Sequence, residues 1–312
     1  MTQRRKEIRR IAQDLVYDGW DALESGAITQ AKELFQQAIK IDANIADAYN
    51  GLACILYDSG KLKEAKLTYE VAYEKAKEEL GTDSVDAFNW WANIDTRPYM
   101  RARHGLGLVF WRLGKYDKAI AEFKAILERN PNDNQGVRYL IAPLFQLKGD
   151  LSGALREYEQ FEKDYPGDVW EPHYCFNWGL ALFTHRRIKR AVVIMRRAFF
   201  GNLYIAPLLL GRKVKPHPIW HGINIAKIDY AREYILLYQQ LWESQTDALI
   251  FLQQLWDAPE IKADIHEFIE IGVRLNTEPV GVTRSALVEK QSKLREKAPS
   301  HTLIIRLKEL FK

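Results

Sequence analysis

The stretch GWDALESGAITQAKELFQQA, residues 19–38, contains the pattern that decides the fold. It returns 34 positions later as ACILYDSGKLKEAKLTYEVA, residues 53–72, and again as GLVFWRLGKYDKAIAEFKAI, residues 107–126. Each copy opens with a small residue, followed after seven positions by a glycine, after five more by an alanine and after four more by an aromatic. A repeat of this length predicts two short antiparallel helices per copy.

The spacing has a mechanical reason. Small side chains let the two helices approach closely where they cross, and the aromatic fills the groove to the next helix. The glycine permits the left-handed backbone that ends the first helix. Two further copies follow with departures from the pattern, of which the clearest is Arg186 in the place of the glycine. The predicted copies span residues 12–45, 46–79, 100–133, 135–168 and 172–205.

This pattern resembles the tetratricopeptide repeat. The resemblance implies an all-α fold: an α/α solenoid, wound as a right-handed superhelix, of about five clear helix pairs plus degenerate C-terminal helices. It implies no enzymatic activity. Three blocks, residues 90–99, 130–140 and 202–211, are similar to blocks in poorly characterised bacterial members and in distant relatives of the eukaryotic suppression-of-tumorigenicity type.

The repeats divide the chain into five segments. They are an N-terminal helix with copies one and two (1–79), a Trp-rich insert (80–99), copies three to five (100–205), a basic irregular segment with a degenerate helix pair (206–256), and C-terminal capping helices (257–312). Three prolines make a regular helix pair over residues 201–225 untenable. In the insert, Trp90 and Trp91 either plug a gap between repeats, which we favour, or form a recognition surface.

Composition indicates a globular protein outside the membrane. Hydrophobic residues make up 47% of the chain, enough for a sizeable core, and the longest apolar run is too short for a transmembrane helix. The first ten residues do not form a signal peptide. Cys54 and Cys175 cannot build a disulfide framework, so we expect two inert thiols, a reducing compartment and a cytoplasmic location.

Charge is unevenly distributed although the net charge is only +4. Residues 172–228 contain no acid, whereas residues 229–270 are rich in acids. A basic patch is therefore predicted at Arg186, Arg187, Lys189, Arg190, Arg196, Arg197, Arg212, Lys213 and Lys215. Its partner is either an acidic peptide or nucleic acid from outside, or the acids of residues 229–270 in this chain or in a neighbouring protomer.

The first helices of stacked pairs line the concave surface of a solenoid. On the predicted register, the partner-binding groove contains Asn50, Tyr57, Arg101, His104, Trp111, Tyr139, His173, Phe176 and Asn177. Arginine and aromatic side chains predominate in binding hot spots, which suits a peptide with apolar and acidic character. Val16 and Trp20 stand where chaperone-binding tetratricopeptide domains have lysine and asparagine, so that resemblance argues against a carboxylate clamp of the chaperone-binding kind.

No residue pattern predicts catalysis, a metal or a cofactor. His217 and His221 have the spacing of a helical zinc pair, but the adjacent prolines argue against a helix there. The sequence therefore favours a non-enzymatic protein-interaction scaffold or adaptor, in which the groove binds a peptide or a partner subunit. Self-association of the protein is compatible with this function. The alternative is a helical-repeat protein that binds RNA or single-stranded nucleic acid.

Overall fold

A computed structural model describes residues 3–167 and 169–311. Over these ranges the chain forms α-helices and short 3₁₀ turns and contains no strand, which confirms the all-α class. The described residues divide into two compact units, one ending at Leu144 and the other beginning at Phe145. Neither range contains a helix that is both long and apolar enough to cross a bilayer.

The first unit contains three helix pairs in the predicted order. They are α1 (Gln3–Glu24) with α2 (Ile28–Ile41), α3 (Ala46–Asp58) with α4 (Leu62–Leu80), and α5 (Arg97–Arg112) with α6 (Tyr116–Arg129). The helices of each pair pack together, and α2 with α3 and α4 with α5 join successive pairs. Helix α7 (Arg138–Leu147) begins in this unit and ends in the next.

The second unit continues with shorter and more varied helices. They are α8 (Leu151–Asp164), α9 (Pro172–Thr184), α10 (Ile188–Gly201), α11 (Ile205–Leu209), α12 (Ile228–Glu243), α13 (Thr246–Trp256), α14 (Pro259–Thr277), α15 (Val282–Glu296) and α16 (His301–Leu310). The degenerate pair expected after the basic segment is α12 with α13, and the short α11 and a 3₁₀ turn, Asn224–Ala226, interrupt the irregular region before it. Helices α15 and α16 pack back onto α10.

Small residues lie at the helix crossings, as the spacing predicts. The repeated alanines Ala31, Ala65, Ala119, Ala154 and Ala191 are all completely buried. A Cβ at Gly19 would lie 2.7 Å from the ring of Phe35, and a Cβ at Gly51 on the next first helix would overlap the same ring. Phe35 therefore packs between the first helices α1 and α3, where these two glycines leave room for its ring.

The predicted left-handed turns are also present. Gly26, Gly60, Gly114 and Gly149 have φ between +69° and +85°. In the fifth copy Arg186 adopts the same conformation with φ of +58°, although it has a Cβ. Tertiary packing therefore imposes the turn where the sequence does not favour it, at a cost of about 1–2 kcal/mol.

The Trp-rich insert plugs the first unit, as favoured. Trp90 is 1% exposed, donates its indole N–H to the carbonyl of Val85 at 2.8 Å, and packs its ring against Tyr99. Trp91 is half-buried beneath the guanidinium of Arg97, which stacks 3.7 Å from the ring centroid. The five sequence segments stay an interpretation, since the compact units divide within the fourth copy.

Candidate partner-binding site

Arg101 and Asp47 occupy equivalent positions on α5 and α3, six residues before the small residue of each copy. The exposed guanidinium of Arg101 pairs with the buried Asp47 carboxylate, which also accepts the indole N–H of Trp20 at 3.3 Å. The guanidinium lies 5.5 Å from the centroid of the Trp20 ring. Three successive first helices thus orient one accessible cation.

Asn50 has a structural task. Its buried side-chain amide donates to Asp47 at 3.0 Å and to the carbonyl of Pro98 at 2.8 Å. These bonds tie α3 to the beginning of α5. A residue that is 1% exposed cannot present its side chain to a ligand, so the expectation that Asn50 faces an open groove is wrong.

Aromatic and aliphatic side chains lie further along the same two helices. Tyr57 on α3 and Trp111 on α5 both follow the small residue of their copy by four positions and are half-buried, as is Leu108. We call these three residues the aromatic strip. The guanidinium of Arg112 stacks on Tyr57 at 4.9 Å and donates to its carbonyl at 3.1 Å, so a second cation borders the strip.

Two titratable groups beside the strip are uncharged at neutral pH. Burial lowers the pKa of His104 to about 4, and its ring lies 6.1 Å from Phe123. Burial, followed by the nearby charge of Asp58, raises the pKa of the Cys54 thiol to about 11. The guanidinium of Arg112 and the carboxylate of Asp58 therefore lie beside Tyr57. Tyr139 on α7 is half-buried, with Arg138 stacked 5.0 Å from its ring centroid.

A cavity of about 410 Å³ adjoins Arg101 and Asp47, and sequence reasoning missed most of its lining. The additional residues come from α1, from the end of α4 and from the insert: Lys6, Arg9, Arg10, Gln13, Asp14, Tyr17, Glu79, Ile94, Asp95, Arg97 and Pro98. Arg9 pairs with Asp42 at 3.4 Å and with Glu79. The basic N-terminal decapeptide and the position of the insert were signals that could have indicated this cavity.

In the second unit, the predicted groove residues are buried. Phe176 is fully buried between Phe199 and Tyr234, at ring distances of 5.8 and 5.6 Å. Asn177, also fully buried, accepts the hydroxyl of Tyr234 at 2.8 Å. The expectation that they face an open groove is wrong because α12 covers this surface of α9.

His173 is covered by the same helix. Its ring stacks 3.9 Å from that of Tyr230, and its Nε2 hydrogen-bonds the Tyr230 carbonyl at 2.8 Å. Burial lowers the pKa of His173 to about 4, so the ring is neutral at pH 7. His173 therefore contributes to the contact between α9 and α12, and it too is wrongly placed in an open groove.

The predicted basic patch is largely paired within the second unit. Arg196, 2% exposed, pairs with Asp264 at 2.7 Å, and Arg212 pairs with Asp257 at 2.8 Å. Both acids belong to the acidic stretch 229–270, so these two arginines support the intramolecular alternative. The remaining arginines bond to nearby acids or carbonyls: Arg187 to Glu159, Arg190 to Glu162, Arg186 to the Phe311 carbonyl and Arg197 to the Val169 carbonyl. Lys189, Lys213 and Lys215 are exposed.

The remaining reactive side chains are held in packing contacts. His221 shares a hydrogen bond with the Tyr204 hydroxyl at 2.7 Å, and the ring of His217 stacks on the same tyrosine at 5.6 Å. Over residues 3–167 and 169–311, no three histidine, cysteine, aspartate or glutamate side chains gather as a metal would require. Cys175 is completely buried, which raises the pKa of its thiol.

Stacked helix pairs with small residues at their crossings define a helical-repeat protein. Two family models, both described as Tetratricopeptide repeat, match residues 45–86 and the overlapping ranges 92–134 and 104–169. The chain therefore contains tetratricopeptide repeats, as its sequence pattern predicts. The narrower resemblance to the suppression-of-tumorigenicity type stays a prediction.

A curated relative is the TPR repeat-containing protein MJ1428 of Methanocaldococcus jannaschii, 25% identical over 173 residues. The match covers 48% of this chain and 29% of that relative. Similar solved structures include the following two. YrrB, titled a TPR protein with an unusual peptide-binding site, has a TM-score of 0.43 and 19% identity over 59% of this chain and 83% of its own. PilF of Pseudomonas aeruginosa has a TM-score of 0.47 and 16% identity over 79% of this chain and 99% of its own.

Proposed function

We propose that this protein is a non-enzymatic interaction scaffold that binds a peptide segment of a partner on the first-helix surface of its first unit. Tetratricopeptide repeats support such a role in general. The observation that carries the proposal is the aromatic strip, Tyr57, Leu108 and Trp111, which remains partly exposed between Arg101 and Arg112.

The strip and its flanking arginines favour one peptide chemistry. Contact between a half-buried aromatic ring and an apolar side chain of the ligand favours binding, because burying the rest of the ring's surface costs little side-chain entropy. An arginine near each end favours an acidic group beside that side chain. The neutral state of His104 keeps a further charge away from the apolar centre. The preferred ligand is therefore an extended or helical peptide that combines apolar and acidic residues.

Nucleic-acid binding has less support. Arg186, Arg187, Arg190, Arg196, Arg197 and Arg212 all bond to carboxylates or carbonyls of the second unit. Five of these arginines keep a partly accessible charge, but their bonds stabilise the second unit. We propose that the scaffold acts in the cytoplasm without a cofactor, as the sequence predicts. We also propose that the partner bound at its surface is an acidic protein.

Pull-down of the full chain with crosslinking mass spectrometry tests the proposal. Trp111→Ala should abolish capture of the wild-type partner or weaken it by about 30-fold, as expected for a central aromatic hot spot. The matched control is Leu67→Ala on α4, which removes an apolar side chain that is 60% exposed on a second helix. Both variants should melt as cooperatively as the wild type.

Two outcomes would contradict the proposal. One is crosslinks that avoid α3 and α5 altogether. The other is a Trp111→Ala protein that stays folded and captures the same partner as strongly as Leu67→Ala does. Retention on RNA at low salt that survives Trp111→Ala would instead favour the nucleic-acid alternative.

A further inference from the structure

A pocket of about 390 Å³ opens on the surface of the second unit. Residues 166–167 and 169–170, which precede α9, form one wall, and the end of α10 provides Arg197. The irregular segment before α12 forms another wall with Ile223. The last turn of α15 completes the pocket with Arg295 and Glu296.

Hydrogen bonds within the second unit fix each wall. Arg197 donates to the carbonyl of Val169 at 2.9 Å, which holds the loop before α9. Buried Asn202 donates to the carbonyls of Ile225 and Lys227 at 2.8 and 3.0 Å, which holds the irregular segment. Buried Arg196 donates to the Leu294 carbonyl at 3.0 Å, which holds the end of α15. A pocket with anchored walls loses little entropy when a ligand binds.

The pocket offers cationic groups to an incoming ligand. Within residues 3–167 and 169–311, neither Arg197 nor Arg295 pairs with a carboxylate; Arg197 donates to a carbonyl, and Arg295 lies 5.3 Å from the centroid of the Phe268 ring. Surrounding protein desolvates the guanidinium of Arg295 and lowers its pKa. An anion in the pocket would offset that desolvation.

Glu296 limits the charge of the ligand. Its carboxylate accepts a long hydrogen bond of 3.5 Å from Ser292, which also lines the pocket. Two guanidinium groups and one carboxylate give the described lining residues a net charge of +1. That charge matches a single carboxylate better than it matches a dianionic phosphate.

Large apolar side chains complete the pocket. Trp170 is 46% exposed and Ile223 is 51% exposed, so both leave apolar surface in water at the pocket. Burying that surface against an apolar side chain of a ligand is favourable, at about 25 cal/mol per Å². An acidic residue beside an apolar one, within a peptide, satisfies both features of the pocket.

We propose that this pocket is a second peptide-binding site, which holds the carboxylate of an acidic residue between Arg197 and Arg295 and a neighbouring apolar side chain against Trp170. The inference rests on the proposed scaffold function and adds a site in the second unit.

The test uses a library of acetylated, amidated octapeptides with two randomised central positions in a Gly-Ser background. The full chain carries Trp111→Ala, so that the aromatic strip contributes little to binding. We expect peptides with Asp or Glu beside an aromatic or aliphatic residue to bind about tenfold more tightly than their Asn or Gln counterparts. The double variant Arg197→Gln/Arg295→Gln should remove this preference.

Two further variants separate recognition from folding. Lys293→Gln is the matched control, because Lys293 lies on the same helix but pairs with Glu289 and does not line the pocket. It should keep the acidic preference. Glu296→Gln should strengthen binding of the acidic peptides, a gain that misfolding cannot produce.

Three results would overturn the inference. They are an absent acidic preference, a preference that survives the double variant, and tighter binding of phosphoserine peptides than of carboxylate peptides. If the aromatic strip is not the partner-binding site, the result is different. Trp111→Ala would then leave partner capture intact, whatever the peptide library shows.

Discussion

Replacement of Arg196 by methionine should destabilise the second unit strongly, although the sequence places this arginine in a surface patch. Its guanidinium is buried, pairs with Asp264 at 2.7 Å and donates to the Leu294 carbonyl at 3.0 Å. Removing one partner of a buried pair costs about 3–5 kcal/mol. Lys297 stays 2.5 Å from Asp264 and compensates part of the charge, so we expect the lower end, about 3 kcal/mol.

Thermal and urea unfolding measure this loss. For a unit of this size, about 3 kcal/mol corresponds to a Tm lowered by about 6–12 °C. The control is Arg187→Met, because Arg187 pairs with Glu159 at the surface and exposed pairs contribute less than about 1 kcal/mol. The double variant Arg196→Met/Asp264→Leu should recover much of the loss, since an apolar pair of similar volume removes the unpaired buried carboxylate.

The pH dependence provides an independent check. Burial raises the pKa of Asp264, but the hydrogen bonds from Lys297 and Arg196 outweigh it and leave the pKa below its ordinary value. A lowered pKa means stability that is fully present above the unfolded pKa, about 3.9, and is lost as pH falls through the folded value. In Arg196→Met the pKa of Asp264 should rise toward its unfolded value, so the acid-induced loss should be smaller and should be complete at a higher pH. Equal Tm values for Arg196→Met and Arg187→Met would refute the reasoning.

Four further predictions follow from particular residues. Gly105→Ala should lower stability by about 1–3 kcal/mol despite the better helix propensity of alanine, because its Cβ would overlap the buried ring of Tyr69; an unchanged urea midpoint would contradict this. Arg186→Gly should raise stability by about 0.5–1 kcal/mol, since φ of +58° strains arginine but not glycine, and a lower Tm would refute it. Between pH 6.5 and pH 4, the free energy of unfolding of His173→Gln should fall less than that of the wild type. The pKa of His173 is lowered to about 4, so only the unfolded chain takes up its proton over that window, at up to about 1.4 kcal/mol per pH unit; parallel pH profiles would contradict the assignment. Deletion of residues 301–312 should lower the Tm and increase binding of an apolar dye, because it uncovers the surface that three buried side chains of α16 now cover; an unchanged melt with loss of the partner would identify a docking segment instead.

Local spacing was sufficient to predict most helices. The positions of α2 to α6 follow from the recurrence of small residue, glycine, alanine and aromatic, because each residue acts within one or two turns of its own helix pair. Helices after residue 257 and the lack of a regular helix pair over residues 201–225 were also predicted, the latter from proline. The role of Trp90 as a plug was favoured because an aromatic side chain in an insert usually fills a gap.

Exposure of the candidate site residues was harder to predict. The register placed Phe176 and Trp111 in the same class, as residues of a first helix facing a groove. The structure separates them, because α12 packs on α9 and buries Phe176 while Trp111 stays half exposed. A repeat pattern specifies which face a residue occupies within its own pair, but it does not specify which later helix covers that face.

The sequence by itself determined the helix pairs, the close crossings at Ala31 and its equivalents, and the left-handed turns, since all of these depend on contacts within one repeat. Tertiary structure alone decided which charges are available to a partner. Arg196 and Lys189 lie in the same basic run, yet one pairs with an acid 68 residues away and the other is exposed. Burial and ion pairing depend on which segments meet in space, and no local pattern encodes that meeting.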